Sequence, residues 1–110
     1  LKVLLDESVP RLIKTRLPQF AIETVQDLDW TGIKNGDLIR RADEQFDAFI
    51  TADKNLRYQQ NLADRKLAII VLPTNRVPDV ISLLPAIDKA LKAAKPGDFL
   101  EIPRSLSGSH

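Results

Sequence analysis

At 110 residues, with 44% hydrophobic and 28% charged side chains, the chain has the size and composition of one globular domain. Its 16 basic and 15 acidic residues leave a net charge of +1, which excludes a broad basic surface, so any contact with nucleic acid has to be local. Cysteine is absent and the one histidine is His110, so disulfides, thiolate metal sites and histidine-based catalytic triads are excluded. No apolar run approaches a bilayer span and the first residues lack a signal-peptide layout, so a soluble, cytoplasmic chain without a membrane partner is expected.

Residues 1–5 read as a buried strand ending in Asp6-Glu7. Ser8 then reads as a helix cap, with Val9, Leu12, Ile13 and Leu17 at helical spacing and Pro18 as the stop. Residues 20–25 are a second strand, less buried at Glu23. Residues 27–35 form a loop by their Gly, Asn and Asp content, and Trp30 within it packs over the core edge or offers a stacking platform. Asn35 reads as the cap of a helix whose inner face is Leu38, Ile39, Ala42 and Phe46. Residues 48–52 are a third strand, delivering Asp53 at its carboxyl end. Residues 54–62 are polar, with Leu56 and Leu62 as anchors, and read as a short helix.

Residues 67–72 are continuous, apolar and rich in β-branched side chains, as a strand covered on both faces should be. Pro78 opens a long helix with Val80, Ile81, Leu84, Ile87, Leu91 and Ala94 in one phase, and Pro85 should kink or split it. Pro96-Gly97 ends that helix, and residues 99–102 are a last strand. Domain 1–104 is followed by a tail, 105–110, of linker-like composition. Leu83 and Leu84 beside Pro85, with Leu56 and Leu62, read as spare apolar surface and predict a homodimer.

Strands alternating with helices predict an α/β fold, a three-layer α/β/α arrangement around a mostly parallel five-stranded sheet. Right-handed crossovers favour the order 2-1-3-4-5. The topological switch point then falls between strands 1 and 3, where Asp6 and Asp53 end their strands, and ligands bind at such points. Asp37, in the first turn of the second helix, is a third acid near the same edge. Each has a plainer role as turn former or cap, and Asp37 as a partner of the helix dipole. Three carboxylates gathered together repel and call for a cation. Mg²⁺ or Mn²⁺ suits oxygen ligands, whereas zinc lacks cysteine or a core histidine here. Such ions typically serve phosphoryl chemistry.

Lys2-Val3-Leu4-Leu5-Asp6-Glu7, Asn35-Gly36-Asp37-Leu38-Ile39 and Phe49-Ile50-Thr51-Ala52-Asp53-Lys54, in that order, resemble the short PIN-like nuclease family over most of residues 2–102. The resemblance implies a metal-dependent ribonuclease, in many cases suspected to be the toxin of a toxin–antitoxin pair, with an antitoxin protein as partner. It assigns Asp6, Asp37 and Asp53 as catalytic and metal-binding acids, Asp53 closing a Thr-x-Asp signature. Many relatives continue with a further Asp and an aromatic residue where this chain has Asn55-Leu56. Asn75, after strand 4, is a neutral oxygen donor or a turn residue.

Lys34, Lys54, Asn55, Arg57, Tyr58, Gln59, Gln60 and Asn61 are candidates for phosphate, sugar and base contacts with single-stranded RNA, Tyr58 by stacking; the alternative is a solvated helix face. Two other classes stay open. One is a phosphoacceptor receiver domain using Asp53 and Thr74, which lacks a lysine after the fifth strand. The other is a PIN-like module kept for binding alone.

Overall fold

The computed structural model describes residues 1–58 and 65–104, with Arg57 and Tyr58 described in backbone only. Five parallel strands, β1 (Lys2–Leu5), β2 (Ala21–Thr24), β3 (Ala48–Thr51), β4 (Ala68–Val71) and β5 (Phe99–Glu101), form one sheet in the order β2-β1-β3-β4-β5. Three helices are described, α1 (Leu12–Arg16), α2 (Asn35–Gln45) and α3 (Val77–Ala93), and a 3₁₀ turn spans Lys54–Tyr58. The expected order and parallel pairing are therefore found. Among the described residues no helix is long and apolar enough to cross a membrane.

The three central strands are apolar on both faces because both faces are covered. Val3, Leu5, Ala48, Ile50, Ala68 and Ile70 point to one side, where α1 and α3 pack. Leu4, Phe49, Ile69 and Val71 point to the other, against Leu38, Ile39, Ala42 and Phe46 of the α2 segment. Alternation along each strand thus sorts one continuous run of hydrophobics into two cores. Trp30 closes the edge of the second core, its ring 6.4 Å from Phe46 in an edge-to-face pair with Arg41 over its other side. Leu56 is buried in that same core, at 1% exposure, and Leu83 is buried in the other at 2%. The spare surface expected on these two residues is not there, and Leu62 lies outside the described residues. Among the described residues the exposed large apolar side chains are Leu1, Val77 and Ile81.

Helix placement has a consequence for handedness. The chain steps in opposite directions across the sheet after β1 and after β4, yet α1 and α3 lie on the same face. Those two crossovers therefore have opposite hands. β2–α2–β3 steps as β4–α3–β5 does but over the other face, so it shares the hand of β1–α1–β2. The β4–α3–β5 unit is the odd one out, so the three crossovers do not all follow the general preference for one hand that led to the expected order. With α1 only five residues long, α3 is the helix among the described residues that covers β3 and β4 on the first face.

Three local expectations change. α1 begins at Leu12, with no side-chain cap, because the Ser8 hydroxyl is engaged elsewhere. α2 likewise has no side-chain cap bond, since the Asn35 amide reaches outward. α3 runs unbroken through Pro85. Pro85 is on the exposed side, as is Ile81 one turn earlier, whose carbonyl loses the missing N–H partner where water can replace it. The buried stripe is Val80, Leu83, Ile87 and Leu91, so the inner face is centred on Leu83 and Ile81 turns out. Residues 105–110 lie outside the described residues.

Ile87→Ala removes a fully buried side chain and should cost about 2–5 kcal/mol in urea unfolding. Ile81→Ala, at 37% exposure, should cost less than about 1 kcal/mol. Equal effects would contradict the assigned face.

α1 is fastened to the turn after β2 by charge. Asp27 accepts from Arg11 at 3.0 Å and from Lys14 at 2.9 Å, and its own N–H donates to the Thr24 hydroxyl. The hydrogen bond from the Lys14 ammonium, followed by Thr24, lowers the Asp27 carboxyl from 3.8 to about 2. A carboxylate depressed on folding stabilises fully above its ordinary value and loses that contribution as pH falls toward its folded value. Asp27→Asn should therefore flatten the acid side of the stability profile between about pH 4 and about pH 2, measured by urea midpoints. An unchanged slope would show that the ion pair contributes nothing.

Candidate functional site

Asp6 and Asp53 leave neighbouring strands at the carboxyl edge of the sheet. The ladder between β1 and β3 continues one step past β1, where the Asp6 N–H donates to the Ile50 carbonyl at 2.9 Å. The Asp6 carboxylate is therefore anchored through its own backbone to the strand that delivers Asp53.

Both are half-buried, and each is held by named partners. Asp6 Oδ2 accepts two hydroxyl donors, Ser8 Oγ at 2.7 Å and Thr51 Oγ1 at 2.8 Å. With those protons committed, the hydroxyl oxygens turn their lone pairs to the backbone after β3. Ala52 N–H donates to Ser8 Oγ at 3.1 Å, and Asp53 N–H donates to Thr51 Oγ1 at 3.1 Å. Thr51 is 1% exposed, so its hydroxyl could not be left without partners cheaply. Asp6 Oδ1 accepts no hydrogen bond from a described residue.

Asp53 is fixed differently. Its Oδ2 accepts from the Asn35 side-chain amide at 2.9 Å, and its Oδ1 accepts from the Asn55 backbone N–H at 3.0 Å. The second bond, with Leu56 N–H to the Asp53 carbonyl at 3.2 Å, turns the chain into the 3₁₀ segment and drives Leu56 into the core. Asn35 is the first residue of α2, so the amino end of that helix lies beside Asp53.

Asp37 is not brought to this pair. It is exposed on the first turn of α2 and forms an ion pair with Arg40, one turn on along the same helix. Among the described residues no group of three or more histidine, cysteine or acidic side chains gathers to hold a metal ion. Helix geometry explains the change, because residues two apart on a helix point in different directions. Asn35 faces Asp53, so Asp37 does not.

Of the candidate substrate contacts, Lys34 and Lys54 are exposed, Lys34 just before Asn35 in the chain and Lys54 just after Asp53. Asn55 contributes its backbone N–H to Asp53. Arg57 and Tyr58 lie on the 3₁₀ turn with their side chains outside the described residues, as is all of Gln59, Gln60 and Asn61. Asn75 is exposed in the turn after β4, where the Thr74 hydroxyl accepts from Arg76 N–H.

Three residues of the site, Ser8, Thr51 and Asn35, were read as caps or as part of a signature. The available signals were the hydroxyl two residues beyond Asp6 and the hydroxyl two residues before Asp53. Nothing in the sequence distinguishes Asn35 as a cap from Asn35 as a partner of a distant aspartate.

Thr51→Val removes a donor to Asp6 and an acceptor for Asp53 N–H at a buried position, and should cost about 1–3 kcal/mol. Thr51→Ser, which keeps the hydroxyl, should lose less than about 1 kcal/mol. Chemical denaturation of the two variants tests this; equal losses would mean that the methyl group, not the hydroxyl, matters.

No family model matches the chain, and no curated protein and no solved structure matches it either.

Proposed function

We propose that the chain is a metal-dependent ribonuclease of PIN-like type, with Asp6 and Asp53 holding Mg²⁺ or Mn²⁺ against a phosphodiester of single-stranded RNA. The observation that carries this reading is the pair of carboxylates fixed on adjacent parallel strands at the switch point of the sheet. The donor set fits a hard cation, being two carboxylates beside a neutral amide with no soft ligand. Mg²⁺ is commonly bound through one or two carboxylates, its remaining positions taken by water and substrate phosphates, so Asp37 is not required. A bound ion of this kind activates a water and neutralises charge on the leaving oxygen.

The chain's own residues do the positioning. Ser8 and Thr51 hold Asp6 in one orientation through Oδ2. Asn35 and the Asn55 N–H hold Asp53. Lys34 and Lys54, exposed next to Asn35 and Asp53 in the chain, are the cations offered to flanking phosphates, which position a strand without reading its sequence. The resemblance adds the role of a toxin, with an antitoxin protein and a second copy of the chain as partners. The exposed Val77 and Ile81 on the outer side of α3 are surface that suits such a contact.

Single-stranded RNA should be cut with Mg²⁺ or Mn²⁺ present and left intact in excess EDTA. Asp6→Asn and Asp53→Asn should each lower the rate by about 10²–10³-fold, and Asn35→Ala by about 10–100-fold. Asp37→Asn should stay within about threefold, as befits an exposed residue acting on a helix dipole. Undiminished cleavage in EDTA, or full activity without the Asp6 carboxylate, would overturn the proposal. Phosphate transfer from acetyl phosphate to Asp53 would put the receiver reading in its place.

A further inference from the structure

Beside Asp53 the carboxyl edge of the sheet carries a hollow of about 180 Å³, lined by Lys54, Val71, Leu72, Pro73, Glu101 and Ile102. Its floor is apolar, and Val71, Leu72 and Ile102 are each less than a tenth exposed. Its rim carries one charge of each sign.

The walls are built on strand ends rather than on free loops. Leu72 N–H donates to the Thr51 carbonyl at 2.8 Å and Ile102 N–H to the Val71 carbonyl at 2.9 Å, which extends the β3–β4 and β4–β5 ladders into the floor. The Arg104 guanidinium donates to the Pro73 carbonyl at 3.3 Å and ties that wall to the segment after β5. A small apolar hollow with walls pinned in this way is already formed before a ligand arrives.

We infer that this hollow is a subsite for the unpaired nucleobase next to the phosphate held at Asp6 and Asp53, with Lys54 as its phosphate contact. The inference takes its place beside the scissile bond from the function proposed above. Neighbouring strands are about 4.8 Å apart, so a hollow over β4 and β5 begins one to two strand spacings, about 5–10 Å, from Asp53. The adjoining nucleotide of a bound strand lies within that reach. A flat heterocycle matches the apolar floor and the small volume, and the Lys54 ammonium matches the backbone that has to accompany it. Burying a base face against aliphatic side chains reads none of its hydrogen-bonding edges, so such a contact tolerates any base. A larger hollow of about 370 Å³, lined by Lys2, Asp47 and Ala68 among others, lies at the opposite edge of the sheet, where the strands begin. A strand bound across the two carboxylates does not reach it.

The test uses AMP, UMP and ribose 5-phosphate as probes in EDTA, so that binding is read without any reaction. Backbone amide shifts should report AMP and UMP at Val71, Leu72 and Ile102, with ribose 5-phosphate weaker by at least about fivefold. Pro73→Trp, which fills the hollow, and Lys54→Glu, which reverses an exposed charge, should each weaken AMP binding by at least about fivefold. Lys54→Glu lies on the surface, so it keeps the test decisive if the tryptophan variant fails to fold. Equal affinity for ribose 5-phosphate, shifts confined to other residues, or AMP binding untouched by Lys54→Glu would overturn the subsite. A chain that seats AMP here and cuts no RNA would uphold the subsite and sink the nuclease. Metal-dependent cleavage with no response to AMP would do the reverse.

Discussion

Two hydroxyl groups donating to one oxygen of Asp6 set the conditions for everything at the carboxyl edge of this sheet. Ser8 comes from the chain after β1 and Thr51 from the last residue of β3, so their shared acceptor ties the two strand ends together. Because each hydroxyl has one proton, using it on Asp6 leaves only acceptor capacity for the backbone. The N–H groups of Ala52 and Asp53 take up that capacity and fix the path by which Asp53 leaves the strand. One carboxylate thus orients its neighbour through two side chains and two backbone groups. The arrangement also delays α1, whose first turn has lost the serine that would have capped it.

Among the described residues the Asp53 carboxylate is met by dipoles and not by an ion pair. Asp53 rests on a neutral amide, a backbone N–H and the amino end of α2. A carboxylate at position 35 would have placed a third negative charge there, with the repulsion that entails. Asn35 avoids that repulsion while keeping a hydrogen bond to Asp53. The near-zero net charge of the whole chain is compatible with such a site because nothing in it depends on a long-range field.

The rest of the sheet supports that edge by being dry on both sides. Each strand sends alternate residues into separate cores, and the register locks β1, β3 and β4 without an exposed polar face between them. Coverage decides the topology at this point. A five-residue α1 cannot shield the first face, and the 17-residue α3 crosses back over it with a hand opposite to that of the two earlier crossovers. Pro85 is tolerated in that helix because its defect faces solvent.

Strand positions, strand order and the two aspartates at the switch point were legible in the sequence. Continuous β-branched runs, turn residues and helical spacing are local signals, and a parallel sheet leaves few orders for five strands. The Leu38, Ile39, Ala42 and Phe46 face was legible for the same reason. What a polar side chain does was not. Ser8 and Asn35 are both good caps on local grounds, yet each engages a residue 44 or 18 positions away, Ser8 accepting from the Ala52 N–H and Asn35 donating to Asp53. Asp37 is an acid in the expected register of the motif, and only the rotation of α2 about its axis shows that Asn35 faces Asp53 while Asp37 meets Arg40. Leu56 and Leu83 looked like surface because their local segments were polar or broken by proline, and packing against distant strands buried them. Hydrophobic pattern is written along the chain, so it can be read there. The partner of a hydroxyl, an amide or a carboxylate is set by which strand ends meet, and that is settled only when the sheet has formed.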